Sequence, residues 1–260
     1  MVPTAIAPLT RILTYNVHGC RGRDGRWSPQ RIADVIAPLR PAIVALQELD
    51  VGRTRSGRVD QAAMIATALG MRVEFNAALE VMGERYGDAI LTALPCRVVK
   101  AGPLPGLPGT RYFEPRGAIW AAIDVGGAEL NVINTHLGLL SRERRVQIEC
   151  LLGPDWIDHP RRKQPAVLVG DLNVRPGSRN YRLLCSALRD AHRENRQRGQ
   201  ATFPSRFPAV RLDYAFVGAG VTVDCAETVR TPLARVASDH LPVIFDLKVA
   251  GAAAQTRSAA

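Results

Sequence analysis

The chain of 260 residues is 47% hydrophobic and carries a formal net charge of +10, with a pI near 10.0. That length and apolar content support one large domain or two small ones, and the lack of a composition break or long linker favours one domain over residues 10–249. Five scattered cysteines without a Cys-x-x-Cys pair argue against a disulfide framework and a zinc cluster, and no apolar run approaches membrane-spanning length.

Arg11–His18 reads as a first strand, with Asn16 and His18 near its exit and Gly19 ending it. After a Gly/Arg loop over Arg21–Trp27, Ser28-Pro29 predicts a helix start; Ile32, Val35, Ile36 and Leu39 form its apolar stripe before Pro41. Ala42–Leu46 predicts a buried strand that ends polar, in Gln47-Glu48-Leu49-Asp50. Strand, helix, strand is the opening rhythm of an α/β fold. A basic loop from Val51 to Arg58 leads to a helix over Asp60–Leu69 with Gly70 just past its end. Beyond a variable region, Ala89–Thr92 predicts a strand and Gly102–Gly109 a Pro/Gly-rich surface loop.

Ala118–Val125 and Glu129–Thr135 read as two strands joined across Gly126-Gly127, with Arg116 before the first and His136 after the second. Ser141 is the expected cap of a helix carrying Val146, Ile148 and Leu151-Leu152. In Pro165–Ser178, Ala166–Val169 is a wholly apolar run of the kind buried on both faces of a sheet. Gly170 breaks it before Asp171 and Asn173, and extended-chain alternation points both polar side chains the same way. Ser178 is the expected cap of the next helix, through Tyr181, Leu184 and Leu188. Arg189–Gln200 reads as polar and exposed. Arg211–Val217 predicts a strand with Asp213 embedded in it, Thr228–Ala237 a loop, and Ser238-Asp239-His240 the opening of a last strand, Leu241–Leu247. Residues 1–9 and 250–260 are expected to be disordered tails.

Asn16, Glu48, Asp50, Thr135, His136, Asp171, Asn173, Asp213, Asp239 and His240 each lie beside an apolar run. A sheet that brings these ends together gathers carboxylates, amides and two histidines in one cleft. Such oxygen donors suit Mg²⁺ or Mn²⁺ better than zinc.

In Thr14-Tyr-Asn-Val-His-Gly19, Gln47-Glu48, Tyr86-Gly-Asp-Ala-Ile-Leu91, Arg116-Gly117, Asn134-Thr-His-Leu137, Gly170-Asp-Leu-Asn173, Arg211-Leu-Asp-Tyr214 and Ser238-Asp-His240 the chain resembles the endonuclease/exonuclease/phosphatase superfamily of metal-dependent phosphoesterases. The motifs run in the family's order from about Ile12 to Leu247. The resemblance implies an α/β four-layer sandwich, two mixed sheets packed face to face with helices outside and the active site at one rim. It puts Glu48 as the main ligand of Mg²⁺ or Mn²⁺, with Asn16 and Asp239 helping to hold the metal or its waters. It has His240, oriented by Asp213, contact the scissile phosphate, and Asp171 align or deprotonate the attacking water. Asn173 and His136 would bind phosphate or the nucleophile, and His136 is also open to proton transfer.

Arg116 reads either as a phosphate contact or as a strand-start ion pair. His18 fits its motif position but also reads as a loop histidine. Asp50 reads as a solvated residue, Glu84 as an exposed loop glutamate, and Arg142–Arg145 as a solvated helix face. Two departures stand out. Asp88 occupies a position where many relatives carry Asn, and Thr202-Phe203-Pro204 lacks the Trp- or Tyr-rich loop expected of an abasic-site endonuclease.

The expected function is metal-dependent hydrolysis of phosphoesters, a phosphodiesterase or nuclease first. A phosphatase of small phosphorylated molecules or lipid head groups is the alternative, and a non-catalytic polyanion-binding module a remote one. The basic charge favours a phosphorylated substrate, DNA or RNA among them, although the skew to arginine has a coding-bias explanation as well. No membrane insertion and no obligate protein partner is expected, and the cysteine usage and missing secretion signal make a cytoplasmic setting the default.

Overall fold

The computed structural model of the chain describes residues 9–107, 114–159, 165–194 and 201–252. In chain order its elements are β1 (Leu9–Asn16), α1 (Pro29–Ile36), β2 (Ile43–Val51), α2 (Gln61–Leu69), β3 (Arg72–Val81), β4 (Glu84–Thr92), β5 (Cys96–Pro103), β6 (Gly117–Asp124) and β7 (Glu129–His136). There follow α3 (Ser141–Leu152), β8 (Ala166–Asp171), α4 (Arg179–Cys185), β9 (Arg189–Asp190), α5 (Ala191–Glu194), β10 (Asp213–Val217), β11 (Val221–Thr228), α6 (Ala234–Ala237) and β12 (Val243–Val249).

The strands form two six-stranded sheets, ordered β11-β12-β1-β2-β4-β3 and β5-β6-β7-β8-β10-β9. In each sheet the central pair is parallel, β1 with β2 and β7 with β8, and every other pairing is antiparallel. A parallel pair requires a crossover, which α1 and α3 supply on the outer faces. The central strands are therefore buried on both sides, which is why they read as unbroken apolar runs rather than alternating ones. Ile12, Ile43 and Ile90 of the first sheet meet Ile119, Val132, Val167 and Val169 of the second in a core between the sheets. Leu13, Val44 and Leu91 pack outward with Ile32 and Ile65 of α1 and α2, and Ile133 and Leu168 pack outward with Ile148 and Leu184 of α3 and α4. The result is the expected four-layer sandwich.

A buried amide bridge fixes one sheet against the other at the rim. Gln47 Nε2 donates to Asn134 Oδ1 at 2.7 Å, and Asn134 Nδ2 donates to the Leu46 and Ala89 carbonyls, both at 2.9 Å. Register then sets Asn16 opposite Gln47 and His136 opposite Asp171, so the carboxyl ends of both parallel pairs open on the same rim. Gly170 is obligatory there: at φ 140° a Cβ would lie 2.0 Å from the Thr135 carbonyl oxygen of the neighbouring strand.

The structure departs from the sequence reading in several places. β3, β5 and β11 are additional strands, and β4 begins at Glu84, five residues before the predicted start. β3 and β5 flank their sheets and have partly exposed faces, so they lack the apolar signal that marks central strands. Gly102 and Pro103 belong to β5, within the span read as a loop. Leu140, not Ser141, is the N-cap of α3, while Ser178 does cap α4 by accepting from the Tyr181 amide. Asp190, Ala191 and His192 are buried, against the exposed reading of Arg189–Gln200. Asp190 draws that segment in by accepting from Tyr181 Oη and Arg211 Nη2, both at 2.6 Å. Residues 195–200 of that span lie outside the described residues, as do 1–8 and 253–260 of the expected tails; Leu9 opens β1 and the Ala250 amide donates to the Gly220 carbonyl.

Candidate active site

The rim opens into a cleft of about 580 Å³ whose lining includes His18, Glu48, Arg116, His136, Asp171, Asn173, Asp239 and His240. Each arrives there for a local reason. Asn16, His136 and Asp171 are the last residues of β1, β7 and β8. Glu48 sits at an irregularity in the pairing of β2 with β4, with φ 63°, and Asn173 has φ 50°. The left-handed backbone of Glu48 turns its side chain out of the path of β2, and Asn173, two residues past the end of β8, is left-handed rather than in the extended alternation expected of it. Ser238 Oγ donates to the Asn16 carbonyl and accepts from the His240 amide, tying the turn before β12 to the end of β1.

Asn16 joins the two sheets' carboxylates. Its Nδ2 donates to Glu48 Oε1 at 2.8 Å and to Asp171 Oδ2 at 3.0 Å, while its oxygen accepts from the His18 amide. Asn16 therefore orients Glu48 and Asp171, and its own oxygen is engaged by the backbone. Burial disfavours the Glu48 anion, but hydrogen bonding to His18 and to the Asn16 amide outweighs it and holds the carboxyl well below its ordinary range. His18 Nδ1 lies 3.7 Å from Glu48 and 3.6 Å from Asp239, so this spot between two carboxylates is built for positive charge.

A second group is organised around His240. Its Nδ1 contacts Asp213 Oδ2 at 2.9 Å and its Nε2 lies 3.5 Å from Asp171 Oδ2. Burial works against the imidazolium, yet the charges of Asp213 and Asp171 and the Asp213 hydrogen bond prevail and push the pKa up to about 10. Asp171, wholly buried and near Asp213, is raised above the carboxylate range, with His240 opposing. Asp171, Asp213 and His240 place ligand-type atoms within 4.8 Å of one another, but a protonated His240 that donates to Asp213 makes this an ion-paired triad rather than a cation cage.

His136 has the opposite character. Burial and the neighbouring Arg116 push its pKa down to about 3, so the ring is neutral. Donor groups stand at both ring nitrogens, Arg116 Nη1 3.2 Å from Nδ1 and Asn173 Nδ2 3.1 Å from Nε2, with Asp171 Oδ2 3.5 Å from Nε2; a neutral ring accepts at one nitrogen and donates at the other. Arg116 also donates to Glu114 at 2.8 Å, the ion pair at a strand start that was one of its two readings, and it lines the cleft. Asp88 is buried behind Glu48 and His136, taking hydrogen bonds from their backbone amides, and burial raises its carboxyl to about 8 against the pull of Arg116.

Residues 13–240 match the sequence model of the Endonuclease/Exonuclease/phosphatase family. The chain belongs to this family. The comparison with curated proteins found no match. Among solved structures, an endonuclease/exonuclease/phosphatase from Beutenbergia cavernae is 25% identical with a TM-score of 0.72, covering 94% of this chain and 72% of its own. A mannosyl-6-phosphatase of Bacteroides thetaiotaomicron is 21% identical with a TM-score of 0.74 over 92% of this chain and 99% of its own. The human Nocturnin catalytic domain with a bound sulfate anion is 19% identical with a TM-score of 0.70 over 95% and 96%. Their architecture is that of two packed mixed sheets with outer helices.

In this family member the structure brings every predicted site residue to the rim or directly behind it. Asp50, read as solvated, is instead fully buried and held by Arg55 through contacts of 2.7 and 2.8 Å. Glu84 opens β4 and accepts from the Thr54 amide and hydroxyl. Arg144 lies across the Gly138 and Leu139 carbonyls beside the cleft instead of on an open helix face. Sequence reasoning missed Tyr86 as a lining residue, Glu114, Arg55, Trp27 and the ring of Phe203, 4.9 Å from His240. Of these only Tyr86 stood inside a motif; the others arrive from loops whose course the motifs do not encode.

Proposed function

We propose that the protein is a divalent-metal-dependent phosphoester hydrolase, first a phosphodiesterase or nuclease. The observation that carries this reading is the division of the cleft: an anionic side, Glu48 and Asp239, faces a donor side of protonated His240, Asn173, neutral His136 and Arg116. A phosphodiester anion needs donors for its oxygens and an ordered water opposite its leaving group. His240 would hold a phosphate oxygen and stabilise charge in the transition state, with Asp213 positioning it. Asp171, held by Asn16 and the Asn173 amide, would align the water or take its proton. Asn173 and His136 would contact phosphate oxygens or the water, and Arg116 adds positive potential.

Glu48 and Asp239 supply ionised or exposed oxygen donors flanking a position that already favours a cation, a donor set that fits Mg²⁺ or Mn²⁺. Bound there, such an ion would offset phosphate charge and lower the pKa of water. Asn16 supports that site by orienting Glu48.

A phosphatase of small phosphorylated molecules is the second reading, favoured by the likeness in fold to the mannosyl-6-phosphatase. Among the described residues no helix is long and apolar enough to cross a membrane, and the cysteine usage supports a reducing, cytoplasmic setting.

The deciding assay is hydrolysis of bis(p-nitrophenyl) phosphate and p-nitrophenyl phosphate with Mg²⁺ or Mn²⁺, for wild type, Glu48→Gln and His240→Ala. Diester cleavage that requires metal and is lost in both variants is the expected result. Preference for the monoester selects the second reading, and no metal-dependent turnover of either ester overturns the assignment.

A further inference from the structure

The cleft continues on both sides of the phosphate-handling centre. Past His18 and Asp239 it runs into a hollow of about 250 Å³ lined by Arg21, Gly22, Arg23 and Gly25. Past Asn173, Phe203 and Leu212 it runs into a groove of about 340 Å³ lined by Arg144, Arg175, Ser141 and Ser178. The shared lining residues make the three spaces one continuous track with cations at both ends.

At the first end the loop over Arg21–Trp27 is pinned rather than loose. Arg21 and Trp27 face each other in a β-bridge, Gly22 N donates to the Arg26 carbonyl, and Arg31 ties the loop down through Asp24 and the Arg26 carbonyl. The Arg21 guanidinium stands 5.1 Å from the Trp27 ring centre. Trp27 nevertheless keeps 43% of its surface accessible, whereas Trp120 and Trp156 keep 3% and 1%. An exposed indole held at a cleft by a rigid loop has lost its conformational freedom in advance and offers a ready face for stacking. At the other end, Arg175 is exposed, and no ion pair or side-chain hydrogen bond engages it among the described residues.

We propose that this track binds single-stranded polynucleotide, with Trp27 stacking an unpaired base on one side of the scissile phosphate and Arg175, beside Arg144, holding a neighbouring phosphate on the other. The inference rests on the phosphodiesterase reading for the position of the scissile phosphate. Cations on both sides of the centre call for a ligand with several regularly spaced anions, which a compact monophosphate lacks. An aromatic face calls for a base whose own face is free, which a duplex withholds. Trp27 and Arg175 are thus specificity-determining residues, outside the hydrolytic centre itself.

The test is binding of short oligothymidylate and oligouridylate to the full chain in chelator, read by intrinsic tryptophan fluorescence. Because the other two tryptophans are buried, quenching reports Trp27. Quenching that disappears in Trp27→Phe is expected, with affinity about ten- to hundredfold lower in Trp27→Ala. Arg175→Glu should weaken binding and flatten the dependence of log affinity on log salt by about 0.7, the share of one phosphate. Arg97→Glu, on β5 and outside the track, serves as the charge-matched control. Binding of either homopolymer that requires Trp27 supports the proposal. No binding, equal quenching by duplex, or an Arg175→Glu effect no larger than that of Arg97→Glu overturns it. Turnover of bis(p-nitrophenyl) phosphate, measured in parallel, judges the hydrolase reading separately: its absence in a chain that binds oligonucleotide through Trp27 sinks that reading and leaves the track standing.

Discussion

His240 contacts Asp213 through Nδ1 and Oδ2 at 2.9 Å, while the other Asp213 oxygen, Oδ1, is buried without a hydrogen-bond partner among the described residues. An aspartate so placed directs its contact to the imidazolium and helps to keep that ring protonated. Asp213→Asn should therefore lower kcat on a phosphodiester by roughly a hundred- to ten-thousandfold, the usual scale for a group supporting proton or charge handling. It should also move the alkaline limb of the pH–rate profile. His240 is protonated below a pKa raised to about 10, so function that needs the imidazolium is lost as pH rises through that value, and loss of the Asp213 charge brings the limb to lower pH. A limb at the same pH in both proteins would refute this role.

Glu48 is ionised in spite of burial and stands with Asp239 about a position suited to a cation. Mg²⁺ or Mn²⁺ at about a hundred times its dissociation constant should stabilise the wild type by about 2.7 kcal/mol, a shift of several degrees in Tm. Differential scanning fluorimetry should show this shift lost or strongly reduced in Glu48→Gln. An equal shift in the variant would place the ion elsewhere.

Asp190 and Arg211 form an ion pair of 2.6 Å that both residues bury, with Tyr181 Oη on the same carboxylate. Asp190→Ala leaves a buried guanidinium unpaired and should cost about 3–5 kcal/mol in urea unfolding. Replacing both residues by apolar ones of similar volume should cost much less. A single variant as stable as wild type would show that Arg211 reaches solvent.

His192 is buried against Phe245, and burial together with Arg211 pushes its pKa down to about 4 from an ordinary 6.5. Between those values the unfolded chain binds the proton and the folded one does not, so stability rises with pH across the window and falls as pH drops below about 6.5. The contribution lost by about pH 4 is about 3 kcal/mol. Urea midpoints measured across this range should fall more steeply in wild type than in His192→Gln; parallel curves would exclude the assignment.

Much of this is legible in the amino-acid sequence alone. Ala166–Val169 reads as a buried strand because a strand covered on both faces needs apolar residues without alternation, and Asp171 and Asn173 follow from its end. Ser28 and Ser178 read as caps because a hydroxyl at a helix start has a free amide to accept from. Asp190 and Asp50 did not read as buried, because an aspartate draws inward only when the fold places an arginine to receive it: Arg211 for Asp190, and Arg55 on the turn after β2 for Asp50.

The central strands, the two outer pairs of helices and the polar residues at strand ends were set by local periodicity and motif spacing, properties that neighbouring residues carry among themselves. What only the tertiary structure decided is how those ends meet: Asn16 bridging Glu48 and Asp171, His136 held neutral by burial and by Arg116, and Trp27 standing at the cleft mouth. Those relationships depend on the packing of one sheet against the other and on the course of loops, across separations of tens to hundreds of residues that no local pattern encodes.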